Sequence, residues 1–390
     1  MTTARPVGSS AGAIDLASTG PASWQSANQI SRAEMLRHVI AARLTRLFHW
    51  EYWPSWVVYA PLFPWLIWLA IRYRGFTTFT AANPGIPLGG VAGESKFDIL
   101  SKLPPDSIVQ SVLIERGTLA DRKARVLGAM SGGGGAVWSF PIILKPDVGE
   151  RGAGVRLIRS ASQIDDYLRD HHGPIVAQQF DPGPFEVGVF YVREPGQARG
   201  QIFSITDKRF SAVVGDGRSS VRTLIWRHPR FRAQAGVFLT RLGSAAERVP
   251  ARGETVPLGT AGNHCQGTMF LDGKRLITPA LSAAFDRIAD HFHGFAFGRF
   301  DVRYADEREL VVGRGFKIVE LNGVLSESTN IYDPATGFWA AQRTLREQWR
   351  LAFAIGSANR CREAHVPTVR ELVKAILAHM RRPDKDLRAD

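Results

Sequence analysis

The sequence predicts an α+β protein behind an apolar, aromatic N-terminal arm. Two observations carry this reading. Segments around 140–158, 175–180, 298–303 and 316–322 have strand-like alternation or short apolar runs, and stretches of helical period separate them. Ahead of them, Tyr52 to Ile71 runs without a charge. At 390 residues, with 45% hydrophobic and 22% charged content, the chain suffices for two or three domains and a large core.

The net charge of +13 favours anionic partners: nucleotide phosphates, an acidic substrate, an anionic membrane surface or nucleic acid. No run of basic residues interleaved with aromatics marks a nucleic-acid groove, so nucleic acid ranks last. Cys265 and Cys361 are too few for a disulfide framework and fit no zinc spacing, which points to a reducing compartment, with a single structural disulfide as the other reading. Cys265 follows His264, which invites a thiol nucleophile, but neighbours in sequence are usually not partners in space.

Residues 1–30 are rich in Ser, Ala, Gly and Thr and read as a disordered lead-in. They lack the continuous apolar core of a secretory signal. From Ser31 to Phe48, apolar residues recur at helical spacing among Arg37, Arg43 and Arg46. A basic amphipathic helix follows, with Ser31 as cap and Glu34 completing a capping box. It either packs on the protein's own core or lies on a membrane surface.

Trp50, Trp53, Trp56, Trp65 and Trp68 are five of the ten tryptophans. With the uncharged run between them and Arg72 and Arg74 behind it, 31–74 reads as a membrane-associating arm. Pro54, Pro61 and Pro64 argue against a straight span, so a kinked span or a re-entrant hairpin is expected. The other reading is an apolar arm packed on a partner subunit or on the domain itself.

Residues 75–119 read as a small α/β domain. A strand is predicted from Phe76 to Ala82, a turn at Asn83-Pro84-Gly85 and a helix from Glu94 to Leu103, stopped by Pro104-Pro105. Gln110–Glu115 is a second strand. Gly89 to Glu94 is either an anion cradle or a plain loop. Residues 120–335 follow as the main domain. A helix runs from Ala120 to Met130, then a flexible linker from Ser131 to Gly135.

The strand Phe140–Pro146 delivers Lys145, and a loop with Gly149, Gly152 and Gly154 leads into a strand at Val155–Ile158. A lysine there supplies a point charge for phosphates, and the glycines let backbone amides approach them. No GK[ST] follows, so this is no Walker loop. Ser162–Asp170 reads as a helix, Ile175–Phe180 as a strand and Ala280–His293 as a helix. The tail 336–390 is helical, with Trp339, Leu345, Trp349 and Leu351 on apolar faces and a frayed end.

Gly298–Arg303 and Phe316–Asn322 read as two strands joined by a hairpin connection. Paired antiparallel, they can bring Asp301, Glu320 and Asn322 to one face, with Arg299 beside Asp301. Two carboxylates and an amide oxygen are hard ligands that suit Mg²⁺. A fixed cation beside them serves phosphates or a developing oxyanion.

Gly298-Arg299-Phe300-Asp301 followed by Val319-Glu320-Leu321-Asn322 resembles the metal-binding end of the ATP-grasp superfamily, whose ligases include D-alanine–D-alanine ligase and cyanophycin synthetase. Lys145-Pro146 and the glycine loop stand before it in the family's order. The resemblance covers about residues 120–335 and implies two α/β subdomains gripping ATP. It implies that Asp301, Glu320 and Asn322 hold two Mg²⁺ ions, or Mn²⁺ in their place, on the ATP phosphates. Arg299 would stabilise the tetrahedral intermediate. Lys145 and Lys123 (or Arg122) would contact phosphates under a lid containing Gly152 and Gly154.

Gln178, Gln179 and Phe180 would line adenine at the hinge, where an acidic residue is replaced by glutamine. Glu186 would meet ribose or the phosphate side, and Lys208 or Arg209 the triphosphate. Asn263, Gly267 and Thr268, with the Gly215-Asp216-Gly217 turn, match the cyanophycin synthetase branch, which makes Cys265 a bystander.

The resemblance implies ATP-dependent ligation of a small carboxylate to an amine through an acyl phosphate. Kinase-type phosphoryl transfer and a non-catalytic nucleotide-binding regulator are the other readings. The segment Gly323–Pro334 is placed to hold the acyl phosphate and second substrate, but it lacks the D-alanine ligases' loop. The arm points to an envelope- or lipid-linked substrate and to a cytoplasmic protein held at the cytoplasmic membrane.

Overall fold

The computed structural model describes residues 30–133, 137–149, 152–259, 262 and 267–381. The expected lead-in, the end beyond Arg381, Asn263, Cys265 and the Glu150–Arg151 part of the glycine-rich loop lie outside these residues. The chain divides into two compact units: residues up to Arg43 with Val213–Val256, and Leu44–Ala212 with Pro257 onward.

Helix α1 (Arg32–Phe48) starts where Ser31 Oγ accepts the Glu34 N–H at 3.1 Å. The Glu34 carboxylate meets Arg227 at 3.1 Å and His38 at 3.6 Å rather than turning back to the cap. Of α1 only Ala42 is fully buried.

Helices α2 (Ser55–Tyr59) and α3 (Phe63–Arg72) join through a 3₁₀ turn at Ala60–Leu62 into one helical run. Of the two expected forms, a kinked run and a re-entrant hairpin, the hairpin does not form. The three prolines all fall at element starts, where the missing N–H costs nothing: Pro54 caps α2, and Pro61 and Pro64 occupy first turns.

The predicted strand at 76–82 is also corrected: Thr78–Ala82 forms a 3₁₀ turn. The Thr80 hydroxyl donates to Thr77 O at 2.8 Å, a local bond that competes with a strand ladder. Gly356 backs onto this turn so closely that a Cβ there would lie 2.0 Å from the Thr78 carbonyl oxygen.

Helix α4 (Lys96–Leu100) is shorter than expected and capped by Ser95 Oγ. Strand β1 (Ser111–Ile114) and α5 (Leu119–Gly128) follow, and α5 continues as a π turn through Ala129–Gly133, where a linker was expected. Next come β2 (Ile142–Pro146), β3 (Arg156–Ile158), α6 (Ala161–Asp170), β4 (Ile175–Gln179), β5 (Phe185–Val192) and β6 (Gln201–Arg209). In the smaller unit, β7 (Ala212–Val214) leads to α7 (Val221–Arg227) and α8 (Ala235–Leu242) and pairs with β8 (Thr255–Pro257).

The chain continues with β9 (Met269–Asp272), α9 (Pro279–His291), β10 (Phe297–Tyr304), α10 (Glu307–Val311), β11 (Phe316–Asn322), α11 (Phe338–Arg360) and α12 (Val369–Met380). The β10–β11 connection is thus not a bare hairpin; Asp306 caps α10 within it. On α11, Leu345 and Leu351 are buried as expected, but Trp339 is 68% exposed.

The larger unit holds two antiparallel sheets, ordered β1-β4-β2-β3 and β11-β10-β5-β6-β9. Residues 75–119 close no sheet of their own, since β1 pairs with β4. Just before β1, the Val109 N–H donates to Ile318 O at 3.1 Å, so the chain passes from the edge of one sheet to the edge of the other.

Helix α9 covers one face of the five-stranded sheet, with Leu281, Phe285 and Ile288 against Val187, Val189, Phe300 and Val302. The opposite face is apolar at one end, where Phe190, Val192 and Phe297 pack with Leu351 and Ile355 of α11. Its other end is polar and lies toward the four-stranded sheet.

Candidate active site

The register of β10 and β11 sets the polar end. Arg299 pairs with Asn322 and Asp301 with Glu320, which puts all four side chains on one face. Gly188 of β5 lies opposite Asp301, and a Cβ there would come within 3.0 Å of Arg299 Cδ. The missing side chain makes room for both residues.

The ladder slips by one residue beside Asp301, leaving Val319 as a bulge. The freed Val319 carbonyl accepts Lys145 Nζ at 3.2 Å and Gln178 Nε2 at 3.3 Å. Lys145 also donates to Gln178 Oε1 at 3.0 Å, and Gln178 Nε2 to Ser111 Oγ at 3.0 Å. Strands β2 and β4 thereby hold a buried lysine against the edge of the other sheet.

A row of alternating charges crosses the face. Arg303 meets Glu186 at 3.2 Å, Glu186 meets Lys208 at 2.8 Å, Lys208 meets Asp301 at 3.0 Å, and Asp301 meets Arg299 at 3.1 Å. Arg299 Nη1 then donates to the Glu327 carbonyl at 3.0 Å. On the other side, Lys96 meets Glu320 at 2.9 Å and the Gly149 carbonyl at 2.7 Å. Lys208, Glu186, Asp301 and Lys145 are all buried.

Burial and charge pull these groups in opposite directions. Burial takes Lys145 down to about 8, although Glu320 draws it the other way. For Glu320, burial favours the neutral form, but Lys96 and Lys145 outweigh it and hold the carboxyl at about 2. Burial likewise opposes the charge on Lys208, yet Asp301 and Glu186 keep it above the ordinary lysine value. Glu327 has no such cation: burial pushes it up to about 7, eased by the Tyr332 hydroxyl donating at 3.1 Å.

The other sequence-predicted residues fall at varying places. Gly152 and Gly154 sit at positive φ in the β2–β3 loop. Asp147, at the loop's start, bonds Ser95 Oγ and the Phe97 N–H at the start of α4, so that helix start already holds an anion of its own chain. Gly89 and Gly90 form no cradle: the Gly89 carbonyl accepts the Val324 N–H, and Gly90 abuts Gly323. Gln178 is engaged by Lys145, whereas the Gln179 N–H closes onto Gln110 O. The Phe180 ring lies under the Arg303 guanidinium at 5.5 Å.

Lys123 pairs with Asp165 of α6 at 2.7 Å, outside this charge network. Arg122 donates to the His171 and Gly173 carbonyls. Arg209 meets Asp207 at 2.8 Å.

Sequence reasoning missed Lys96, Arg303 and Glu327. Arg303 continues the alternation of Arg299 and Asp301, so a period-two reading could have found it. Lys96 arrives from far along the chain and carries no local signal.

Among the described residues no group of three or more His, Cys, Asp or Glu side chains converges. The donor set is two carboxylates and an amide. Mg²⁺ is commonly held by one or two carboxylates together with substrate phosphates, so the set fits it. The buried Asn322 side-chain nitrogen has no hydrogen-bond partner; the ligand this residue would offer Mg²⁺ is its amide oxygen.

No family model and no curated protein matches the chain. Among solved structures it is similar to a bifunctional glutathione synthetase from Pasteurella multocida, at 16% identity and TM-score 0.34, over 62% of this chain and 34% of that one. It is also similar to the ADP complex of N5-carboxyaminoimidazole ribonucleotide synthetase, at 14% identity and TM-score 0.32, over 58% of this chain and 44% of that one. The chain therefore matches less than half the length of either.

Proposed function

We propose that this protein is an ATP-grasp ligase that joins a small carboxylate to an amine at the expense of ATP. The observation that carries the reading is the convergence of Lys145, Lys208 and Arg299 on the face shared by Asp301, Glu320 and Asn322. The order of motifs along the chain supports it independently.

In this reading Asp301, Glu320 and Asn322 hold Mg²⁺, which balances the triphosphate charge when bound. Lys145, buried at the join of the sheets, offers a desolvated cation to a phosphate oxygen. Arg299 is fixed at both ends, by Asp301 and by the Glu327 carbonyl, so its guanidinium is oriented before substrate arrives. A carboxylate oxygen attacks the γ-phosphorus, the bond to the β,γ-bridging oxygen breaks, and ADP leaves. The amine then attacks the acyl carbon, phosphate departs with the former carboxylate oxygen, and the amine loses a proton. Arg299 is placed for the oxyanion of that second step. No protein nucleophile takes part.

Calorimetric titration with ADP tests the reading. Binding that needs Mg²⁺ and weakens at least about tenfold in Asp301→Asn is expected. Absence of nucleotide binding, or binding indifferent to both changes, would remove the basis for it.

A further inference from the structure

The helical run Ser55–Arg72 is long and apolar enough to cross a bilayer, at 18 residues and mean hydropathy 1.3. Its packing argues against crossing. One side is fastened to the protein: Gln342 Nε2 donates to Val58 O at 2.8 Å, and Trp65 Nε1 to Arg346 O at 3.0 Å. Leu62 and Leu69 are fully buried on that side, among neighbours that include Leu345, Trp349 and Phe353. The same stretch of α11 carries Arg343, Arg346, Glu347 and Arg350. A crossing would carry these charges toward hydrocarbon, which strongly disfavours them.

The other side of the run is bare. Phe63, Ile67 and Ile71 are exposed at i, i+4 and i+8, with Trp56 two turns earlier, and Trp56 and Ile71 are 73% and 70% exposed. Helix α1 has a stripe of the same spacing in Leu36, Ile40 and Leu44, ending in Phe48 at 76%. Large side chains left open in this pattern, rather than scattered, mark an interaction surface.

Charge says what covers it. Between Met35 and Gly93 the only acidic residue is Glu51, against Arg37, Arg43, Arg46, Arg72 and Arg74. Apolar stripes among arginines, with tryptophans alongside, match the interface of an anionic bilayer. A second copy of the chain would bring arginine against arginine.

We propose that the outer face of the Ser55–Arg72 run lies in the plane of an anionic lipid surface, holding the protein as a peripheral, interfacial membrane protein rather than a spanning one. The inference is independent of the proposed reaction. Removing the arm would strip the cover from Leu345 and Phe353, so substitutions on its outer face give the cleaner test.

The full chain is sedimented with phosphatidylcholine vesicles, with and without phosphatidylglycerol. Binding is expected on the anionic vesicles, falling about tenfold or more on neutral ones and at high salt. Bound protein should be released by alkaline carbonate. The triple change Phe63→Glu, Ile67→Glu, Ile71→Glu should abolish binding while circular dichroism and ADP titration stay as in the parent chain. Unchanged binding by the triple variant would overturn the proposal, as would retention in carbonate, which denotes integral insertion. A lipid-indifferent dimer that the triple variant turns into monomer would assign the face to a second copy instead.

Discussion

Asp301 and Glu320 stand directly opposite one another across the β10–β11 ladder, and each is answered by a different lysine, Lys208 at 3.0 Å and Lys96 at 2.9 Å. Like charges so placed repel, and the ladder keeps them only because cations brought from elsewhere offset the repulsion. Lys208 comes from β6 and Lys96 from α4. The pair is therefore a tertiary construction.

Replacing Asp301 by Asn should cut ATP-dependent turnover by about a hundredfold or more, as expected for the loss of a charge that organises phosphates. Folding should remain cooperative, because Lys208 keeps Glu186 as a partner at 2.8 Å. Turnover and a thermal melt, read together, separate the two effects. A normal melt with normal turnover would remove Asp301 from the site.

Lys145 titrates at about 8, so its charge falls away just above neutral pH. Affinity for ADP with Mg²⁺ should drop as the pH rises from 7 to 9. Lys145→Arg, which keeps its charge throughout, should flatten that dependence even where its overall affinity is lower. A parallel fall in both proteins would assign the titration to another group.

The two carboxyls with opposite shifts predict opposite trends in stability. Glu320 lies at about 2, below its ordinary 4.5, so the stability it contributes is complete above pH 4.5 and is lost as the pH falls toward 2. Glu327 lies at about 7, above its ordinary 4.5, so its favourable share is complete below pH 4.5 and is lost as the pH rises through 7. Glu327→Gln should thus stabilise the fold at pH 8 by about 1–3 kcal/mol, discounted for its partial exposure, and leave it near parity at pH 4. Melts of both proteins at the two pH values check the sign.

Two glycines of the same loop should respond differently to alanine. Gly154 has φ +69°, and a Cβ there would lie 2.8 Å from Pro146 Cγ and 2.9 Å from His171 Nε2. Gly154→Ala should cost about 2–4 kcal/mol. At Gly149 the nearest atom would be 3.7 Å away, an ordinary contact, and Gly149→Ala should stay within about 0.5 kcal/mol. Denaturant midpoints of the two variants give the comparison.

What the sequence disclosed follows from how local each signal is. The β10 and β11 strands, their pairing and the shared face of Arg299, Asp301, Glu320 and Asn322 rest on period-two alternation and were readable. So was Lys145 at the end of an apolar strand. The contact of Lys145 with the Val319 carbonyl was not, because it depends on a one-residue slip in another sheet.

Lys96 reaches Glu320 across more than two hundred residues, which no local pattern encodes. Phe76 to Ala82 reads as a strand by composition, yet close packing against Gly356 and a local threonine bond prevail. The uncharged run after Tyr52 gave the arm its apolarity, but not which side α11 would cover.

The most direct measurement of the central claim is a hydroxylamine trap. Purified protein is incubated with Mg-ATP, a metabolite and lipid extract, and hydroxylamine, beside the Asp301→Asn/Glu320→Gln double variant. The proposed reaction predicts a hydroxamate formed with ADP by the parent chain alone, whose mass identifies the acid. ADP released with a stable phosphorylated product and no hydroxamate, or nucleotide bound without ADP release, would contradict it.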